Sequence, residues 1–207
     1  MQNAVQGRVD YEIITDLVEP GSRVIDLGCG DGELLEMLVT RKQVTGQGIE
    51  IDEANIAKCI ARGLNVIHAD LDEGLADYQN GSFDYVVLNQ TLQVVTKPDY
   101  VVLEMVRVGK KAIVGFPNFG QIGIRMQLLF RGMMPKTADL PYEWYNTPNI
   151  HLVTIRDFER FCLEKNLKIV SRVFIKGKSA LSPRFRPNLL AKSAIYVIQR
   201  QRTVPAK

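Results

Sequence analysis

The chain has 207 residues, 46% hydrophobic and 24% charged, with a formal net charge of +3. That is ordinary globular composition at the size of one domain, which excludes a mainly disordered chain or a collagen-like repeat. No apolar run approaches the ~20 residues that span a bilayer, the first ten residues carry no apolar signal core, and three cysteines without Cys-x-x-Cys spacing point to a reduced, cytoplasmic protein without structural zinc.

The small net charge hides a split. Residues 1–100 hold 7 lysines and arginines against 17 acidic residues, a balance of −10. Residues 101–207 hold 19 against 6, a balance of +13. Basic residues gather at Lys176, Lys178, Arg184, Arg186, Lys192, Arg200 and Arg202. Two faces with different surroundings are expected. The basic one is a solvated surface or a docking surface for an acidic protein or an anionic ligand. Without a zinc-finger, KH or RNP-like motif, a nucleic-acid partner is not expected.

Apolar periodicity gives the elements in chain order. A helix over 10–18 stops at Pro20-Gly21. A strand over 22–27 leads into the glycine-rich turn 28–32 and a helix over 33–40. The second strand spans 43–51. Asp52 can cap a helix over 53–62, which Gly63 ends. Strands follow over 65–69 and 83–88. Pro98 opens a helix, and a fifth strand covers 111–116. Segment 119–134 is amphipathic, and 140–150 is aromatic with Tyr142, Trp144 and Tyr145. Thr154 and Asp157 have capping-box spacing at the start of a helix. Two last strands, 168–175 and 194–199, flank a basic loop. Strict alternation of strand and helix implies an α/β fold, doubly wound around a mostly parallel sheet. Parallel strands covered on both faces should be largely apolar, as these are.

The turn reads Asp26-Leu27-Gly28-Cys29-Gly30-Asp31-Gly32. Glycines at alternate positions let the backbone pass close to a ligand. At the end of a central strand, such a turn is where open α/β sheets bind nucleotides. Glu33 stands where the dinucleotide fingerprint needs its third glycine. Asp31 and Glu33 also place negative charge where a pyrophosphate would sit. A cationic cofactor without phosphate is compatible. Glu50 ends the second strand and can accept both hydroxyl hydrogens of a ribose. Asp70 follows the third strand, placed for an adenine amino group, and Asn89 follows the fourth. Four successive strand ends, at Asp26, Glu50, Asp70 and Asn89, thus offer polar groups to one nucleoside pocket.

The turn together with Glu50 and Asp70 resembles the class I S-adenosylmethionine-dependent methyltransferases over roughly residues 10–118. The resemblance implies a Rossmann-like, seven-stranded sheet with its last strand antiparallel. It also implies a pocket for S-adenosylmethionine or S-adenosylhomocysteine. Asp26, Gly28, Cys29, Gly30 and Gly32 would meet the methionine half. Glu50 would hold the ribose, Asp70 with Leu71 the adenine, Asn89 would line the cleft, and Ile51 is counted among the cofactor-binding residues.

A narrower resemblance runs through nearly the whole chain. Arg8-Val9-Asp10-Tyr11-Glu12-Ile13-Ile14, Asn89-Gln90-Thr91-Leu92-Gln93 and Gly115-Phe116-Pro117-Asn118-Phe119 carry it, as does 140–152 (LPYEWYNTPNIHL). Together they are similar to the MetW family of methionine-biosynthesis proteins. That resemblance implies a role beside homoserine O-acyltransferase, supporting homoserine acylation. It also implies one methyltransferase-like domain over 1–207. Its cofactor-binding core is 1–118, and the remainder carries helices, the aromatic segment and the last two strands.

The alternative is a methyltransferase acting on a small molecule. Acceptors that are not already nucleophilic need a base. Gln90 and Gln93 follow the fourth strand where a base would be useful, and no Asn-Pro-Pro-Tyr motif stands there. No catalytic residue is assigned. His68 and His151 read as structural, Cys29 as a backbone position of the turn and Cys162 as core. No metal site is expected. The aromatic segment reads as core, as a lid over the cofactor or as an anchor for the partner.

Overall fold

The computed structural model describes residues 8–137, 140–177, 179–181 and 186–201. Lys178, Arg184 and Arg202 of the predicted basic surface lie outside the described residues. Seven helices and eight strands are described. The helices are α1 Val9–Leu17, α2 Glu33–Lys42, α3 Glu53–Ala61, α4 Pro98–Val108, α5 Ile122–Arg131, α6 Ile155–Glu164 and the short α7 Pro187–Leu190. The strands are β1 Arg23–Leu27, β2 Thr45–Glu50, β3 Val66–His68, β4 Phe83–Asn89, β5 Gly109–Pro117, β6 Leu167–Lys176, β7 Ser179–Leu181 and β8 Ser193–Arg200.

The strands form one sheet in the order β3-β2-β1-β4-β5-β8-β6-β7. Strands β1 to β5 pair in parallel. The last strand, β8, runs antiparallel between β5 and β6. All seven predicted strands are present, with the last one antiparallel as expected. The three-residue β7, which pairs with the end of β6, is an addition at the sheet edge.

Side chains alternate faces along each strand. Val24, Tyr85, Val87, Ile113, Ile195 and Val197 face Ile14 and Val18 at α1 and Leu34 and Leu38 of α2. Ile25, Val86, Leu88, Val114, Phe116 and Tyr196 face Val101, Val102 and Met105 of α4 and Phe158 and Cys162 of α6. The fold is therefore doubly wound. The capping box is formed: Thr154 Oγ1 accepts from Asp157 N, and Asp157 Oδ2 accepts from Thr154 N. Asp52 caps α3, its Oδ1 accepting from Asn55 N at 2.8 Å. One expectation is limited by position: β3 is an edge strand, so Ile67 and His68 are exposed rather than covered on both faces. Among the described residues no helix is long and apolar enough to cross a membrane.

Candidate functional site

Strand β1 has β2 on one side and β4 on the other, so the order of strands reverses there. Crevices at the carboxyl ends of strands at such a reversal are the ligand sites of open α/β sheets. A cavity of about 360 Å³ opens there, with Gly28, Glu50, Ile51, Asp70, Leu71 and Thr91 on its walls.

The turn after β1 is shaped from within. Gly28 has a φ of +67°, and a Cβ there would lie 2.7 Å from Thr91 Cγ2. Only glycine satisfies both limits. Its N–H donates to Ile49 O at 2.8 Å, which ties the turn to β2. Gly30, also left-handed, donates to Glu50 Oε2 at 2.7 Å. Glu50 Oε1 accepts from Ile51 N at 2.9 Å and Asp52 N at 3.0 Å. Three backbone donors thus hold a carboxylate that is only 8% exposed, and they fix where its oxygens point.

Asp26, one residue before the end of β1, is buried. Burial, joined by the charge of Glu50, pushes its carboxyl up to about 7, while Arg8 opposes the rise. Asp70 Oδ1 accepts from Asp72 N at 2.9 Å and starts the short 3-10 turn Leu71–Glu73. Asp72 in turn accepts from Thr96 N and Lys97 N, so the β4–α4 loop is clamped to this wall.

Five predicted residues, Gly28, Glu50, Ile51, Asp70 and Leu71, share the cavity wall. The other five do not line it. Asp26 is buried near the end of β1. The Cys29 thiol lies 3.9 Å from Cys59 Sγ, and burial raises its pKa. Gly30 reaches the site through Glu50, and Gly32 starts α2 in a left-handed conformation. Asn89 ends β4, and its Nδ2 donates to Asp10 Oδ2 at 2.7 Å. Cys29, Cys59 and Cys162 are free and buried, and no metal-binding cluster exists among the described residues.

The bond from Asn89 reveals residues that site reasoning from sequence did not assign. Arg8 donates from Nη2 to Asp10 Oδ2 at 2.7 Å and from Nη1 to the Tyr11 hydroxyl at 2.7 Å. Its guanidinium also lies 4.0 Å from the Tyr11 ring centroid. Burial raises the Tyr11 hydroxyl to about 12, with Arg8 opposing. The start of α1 therefore reaches the carboxyl end of β4. The sequence marked Arg8, Asp10 and Tyr11 only as part of a stretch resembling the MetW family, with nothing to link them to the cleft.

The chemistry of the cavity is selective. Its charged walls are Glu50, Asp70 and Asp72, with no lysine or arginine among them. A diphosphate would meet uncompensated negative charge. Ile49, Ile51, Ala69, Leu71, Val94 and Val95 supply apolar walls suited to a flat base. The donor set fits an uncharged nucleoside with a cationic substituent. The lid and core readings of the aromatic segment fare differently. Trp144 is 74% exposed, so it is not core, and it lines a separate groove with Met134 and Leu140.

Comparison with known proteins gives a consistent result. A family model described as methionine biosynthesis protein MetW matches residues 8–198. The chain is 35% identical over 204 residues to the bifunctional methionine biosynthesis protein MetXA/MetW of Rhodopirellula baltica. That alignment covers 93% of this chain and 33% of the relative, so the chain spans about a third of that protein's length. Among solved structures, an S-adenosylmethionine-dependent methyltransferase from Mesorhizobium loti superposes with a TM-score of 0.69 at 15% identity, covering 94% of this chain and 99% of that one. Magnesium protoporphyrin IX methyltransferase of Synechocystis, solved with S-adenosylhomocysteine bound, gives 0.63 at 16% identity, covering 93% and 82%. At such identities the likeness establishes the fold.

Proposed function

The chain belongs to the MetW family of methionine-biosynthesis proteins, and from that premise we propose that it is an accessory protein of homoserine O-acyltransferase. It acts in the cytoplasm as a single methyltransferase-like domain and supports or activates homoserine acylation. The observation that carries this reading is the relative in which a MetW-like portion is joined to MetXA in one bifunctional chain. We take the MetXA portion to be the acyltransferase. Fusion keeps two functions at high effective concentration, the arrangement expected when they work in contact.

The cleft beside Gly28 is read as a pocket for S-adenosylmethionine or S-adenosylhomocysteine. Glu50, held by three backbone N–H groups, has lone pairs left for a ribose diol. Ile51 and Leu71 would flank the base, with Asp70 near its amino group. Gly28, Cys29, Gly30 and Gly32 would offer backbone to the methionine half. Asp26 and Asn89 complete the proposed set. A cationic sulfonium suits acidic surroundings that lack lysine and arginine.

The test is the homoserine acylation rate of the purified cognate acyltransferase with and without this protein. A several-fold rise supports the reading. No change, with an acyltransferase shown to be folded and able to bind substrate, moves the assignment to a methyltransferase acting on a small molecule. The shared fold with methyltransferases favours that second reading. Against it, Gln90 and Gln93 stand at the end of β4, and Gln93 Nε2 is spent on Gln90 O at 2.8 Å. Amides are not bases, so only an acceptor already nucleophilic would react.

A further inference from the structure

A second cavity, about 570 Å³, opens between α5, α6 and α7 and shares no wall residue with the cleft. Three arginines stand on it, each from a different segment. Arg125 lies near the start of α5, Arg156 in the first turn of α6 and Arg186 just ahead of α7. None of the three has an ion pair among the described residues. Glu159 is the one carboxylate among the described wall residues. It is already engaged by Arg172 at 2.9 Å and by the Tyr196 hydroxyl at 3.0 Å. Like charges gathered at one cavity repel one another until an anion joins them.

The arginines meet because one buried side chain gathers the segments that carry them. Asn118, directly after β5, is 1% exposed. Its Nδ2 donates to Asn188 O at 3.0 Å and Ala191 O at 2.9 Å. Its Oδ1 accepts from Gly120 N at 3.0 Å and Ile155 N at 3.3 Å. Asn188 stands close behind Arg186 in the chain, and Ile155 is next to Arg156. Gly120 O in turn accepts from Arg125 Nε at 2.5 Å. That bond orients the guanidinium and leaves its Nη groups without a partner among the described residues. Arg186 holds a φ of +41°, a left-handed conformation uncommon for a residue with a Cβ. Its carbonyl accepts from Leu189 N at 2.9 Å and Leu190 N at 3.2 Å, which keeps it there. Backbone strain of this kind gathers at ligand sites.

We infer that this cavity is a second small-molecule site, for a ligand that bears a diphosphate or two phosphate groups. Guanidinium forks match phosphate oxygens with paired hydrogen bonds. A single carboxylate would answer one guanidinium, whereas a diphosphate has charge and oxygens for all three. The volume lies in the range of small-molecule pockets, ~300–1,000 Å³, and leaves room beyond the phosphates. Ile155, Pro187 and Leu189 give that remainder an apolar wall. The cleft beside Gly28, walled by Glu50, Asp70 and Asp72, disfavours the same ligand. One chain thus keeps two chemistries apart: a cationic nucleoside in the acidic cleft and a phosphorylated molecule among the arginines. The inference concerns this chain alone and does not need the acyltransferase partnership.

Calorimetry on the full chain tests this, with pyrophosphate and ADP as probes. The variants are Arg156→Ala, Arg186→Ala and, as a basic control on β6 away from the cavity, Lys168→Ala. All three side chains are exposed, so folding should be kept, checked by the melting midpoint. The wild type should bind both probes, and saturating S-adenosylhomocysteine should leave that binding unchanged. Each arginine variant should weaken it by about tenfold or more, as loss of a charge-assisted hydrogen bond does. Arg156→Lys, which keeps the charge but not the fork, should recover only part of the loss. Lys168→Ala should bind like the wild type. A wild type that binds neither probe at millimolar concentration overturns the inference. So does an equal loss in Lys168→Ala, which would mean diffuse surface charge, or displacement of the probes by S-adenosylhomocysteine, which would place them in the cleft. Sedimentation with phosphatidylglycerol vesicles that both arginine variants abolish, without pyrophosphate binding, would give the arginines to a lipid surface and overturn it as well. A chain that binds the probes but no S-adenosylhomocysteine would refute the reading of the cleft and leave this site standing.

Discussion

The cleft at β1 and the face around α5 are built on opposite plans. In the cleft, polar groups are tied to one another: Gly30 to Glu50, Glu50 to two further amides, Asp72 to the β4–α4 loop, Asn89 to Asp10. The polar groups of the cleft are thus held in place by the protein itself. Around α5, apolar side chains and arginines stand in solvent with little of the protein against them. A preorganised cleft spends little on ordering when it binds. An uncovered apolar face gains stability only when something covers it. Damage should accordingly be costly to folding in the first region and nearly silent to folding in the second.

The largest effect is expected at the turn. Gly28→Val puts a β-branched residue at a φ of +67° with its Cβ 2.7 Å from Thr91. Strain and overpacking together should cost about 4 kcal/mol of stability, read as a lower urea midpoint. A variant as stable as the wild type would mean that the turn can open, and the contrast with α5 would lose its basis.

Asp26 gives the next largest effect through pH. Its carboxyl in the folded protein sits at about 7, above the ordinary aspartate value of 3.8. The folded state therefore holds a proton that the unfolded state has lost across that window. Stability from this group is full below the unfolded value and is lost as pH rises towards 7. From pH 5 to pH 8 the wild type should lose about 3 kcal/mol relative to Asp26→Asn. Parallel pH profiles for the two proteins would show that Asp26 is ionised throughout and that its surroundings are not dry.

How legible each region was in the sequence follows the same division. Glu50 could be placed because one helix and one strand separate it from Gly30, and regular elements have fixed lengths. The bond between Gly30 N and Glu50 is what that spacing encodes. The alternation that fixed the parallel core needed only local periodicity. Arg8, Asp10 and Tyr11 escaped because nothing local links them to the cleft: the Asp10–Asn89 bond spans 79 residues. The three-residue β7 and four-residue α7 are too short for a period to show. The aromatic segment was ambiguous for a different reason. Tryptophan and tyrosines compose a core and a docking surface equally well, and only the fold shows that Trp144 and Tyr145 face solvent.

A third measurement sharpens the account of the cleft itself. Glu50→Ala should weaken S-adenosylhomocysteine binding by about 1.5–3 kcal/mol, the range for hydrogen bonds to a charged group. It also strips three backbone N–H groups of their acceptor, so its stability must be measured beside its affinity. Glu50→Gln, which keeps the shape and one carbonyl oxygen, should recover most of the stability and only part of the affinity. Unchanged affinity in both variants would place the ribose elsewhere.

The smallest effect on folding is expected at Trp144, and its smallness is what makes it informative. The indole contacts the Tyr145 ring edge-to-face at 5.7 Å between centroids and is otherwise largely in water. Trp144→Ala should change stability by no more than about 0.5 kcal/mol, as surface substitutions do. A lid over the cleft would lose S-adenosylhomocysteine affinity on this change. A docking anchor would instead lose acyltransferase affinity by more than about 1 kcal/mol and leave the ligand untouched. Trp144 lines the groove with Met134 and Leu140, whereas Gly28 and Glu50 line the other cavity, so the second outcome is expected. A large drop in stability would mean that the tryptophan is held by the protein's own core, and the two regions would then be built on one plan.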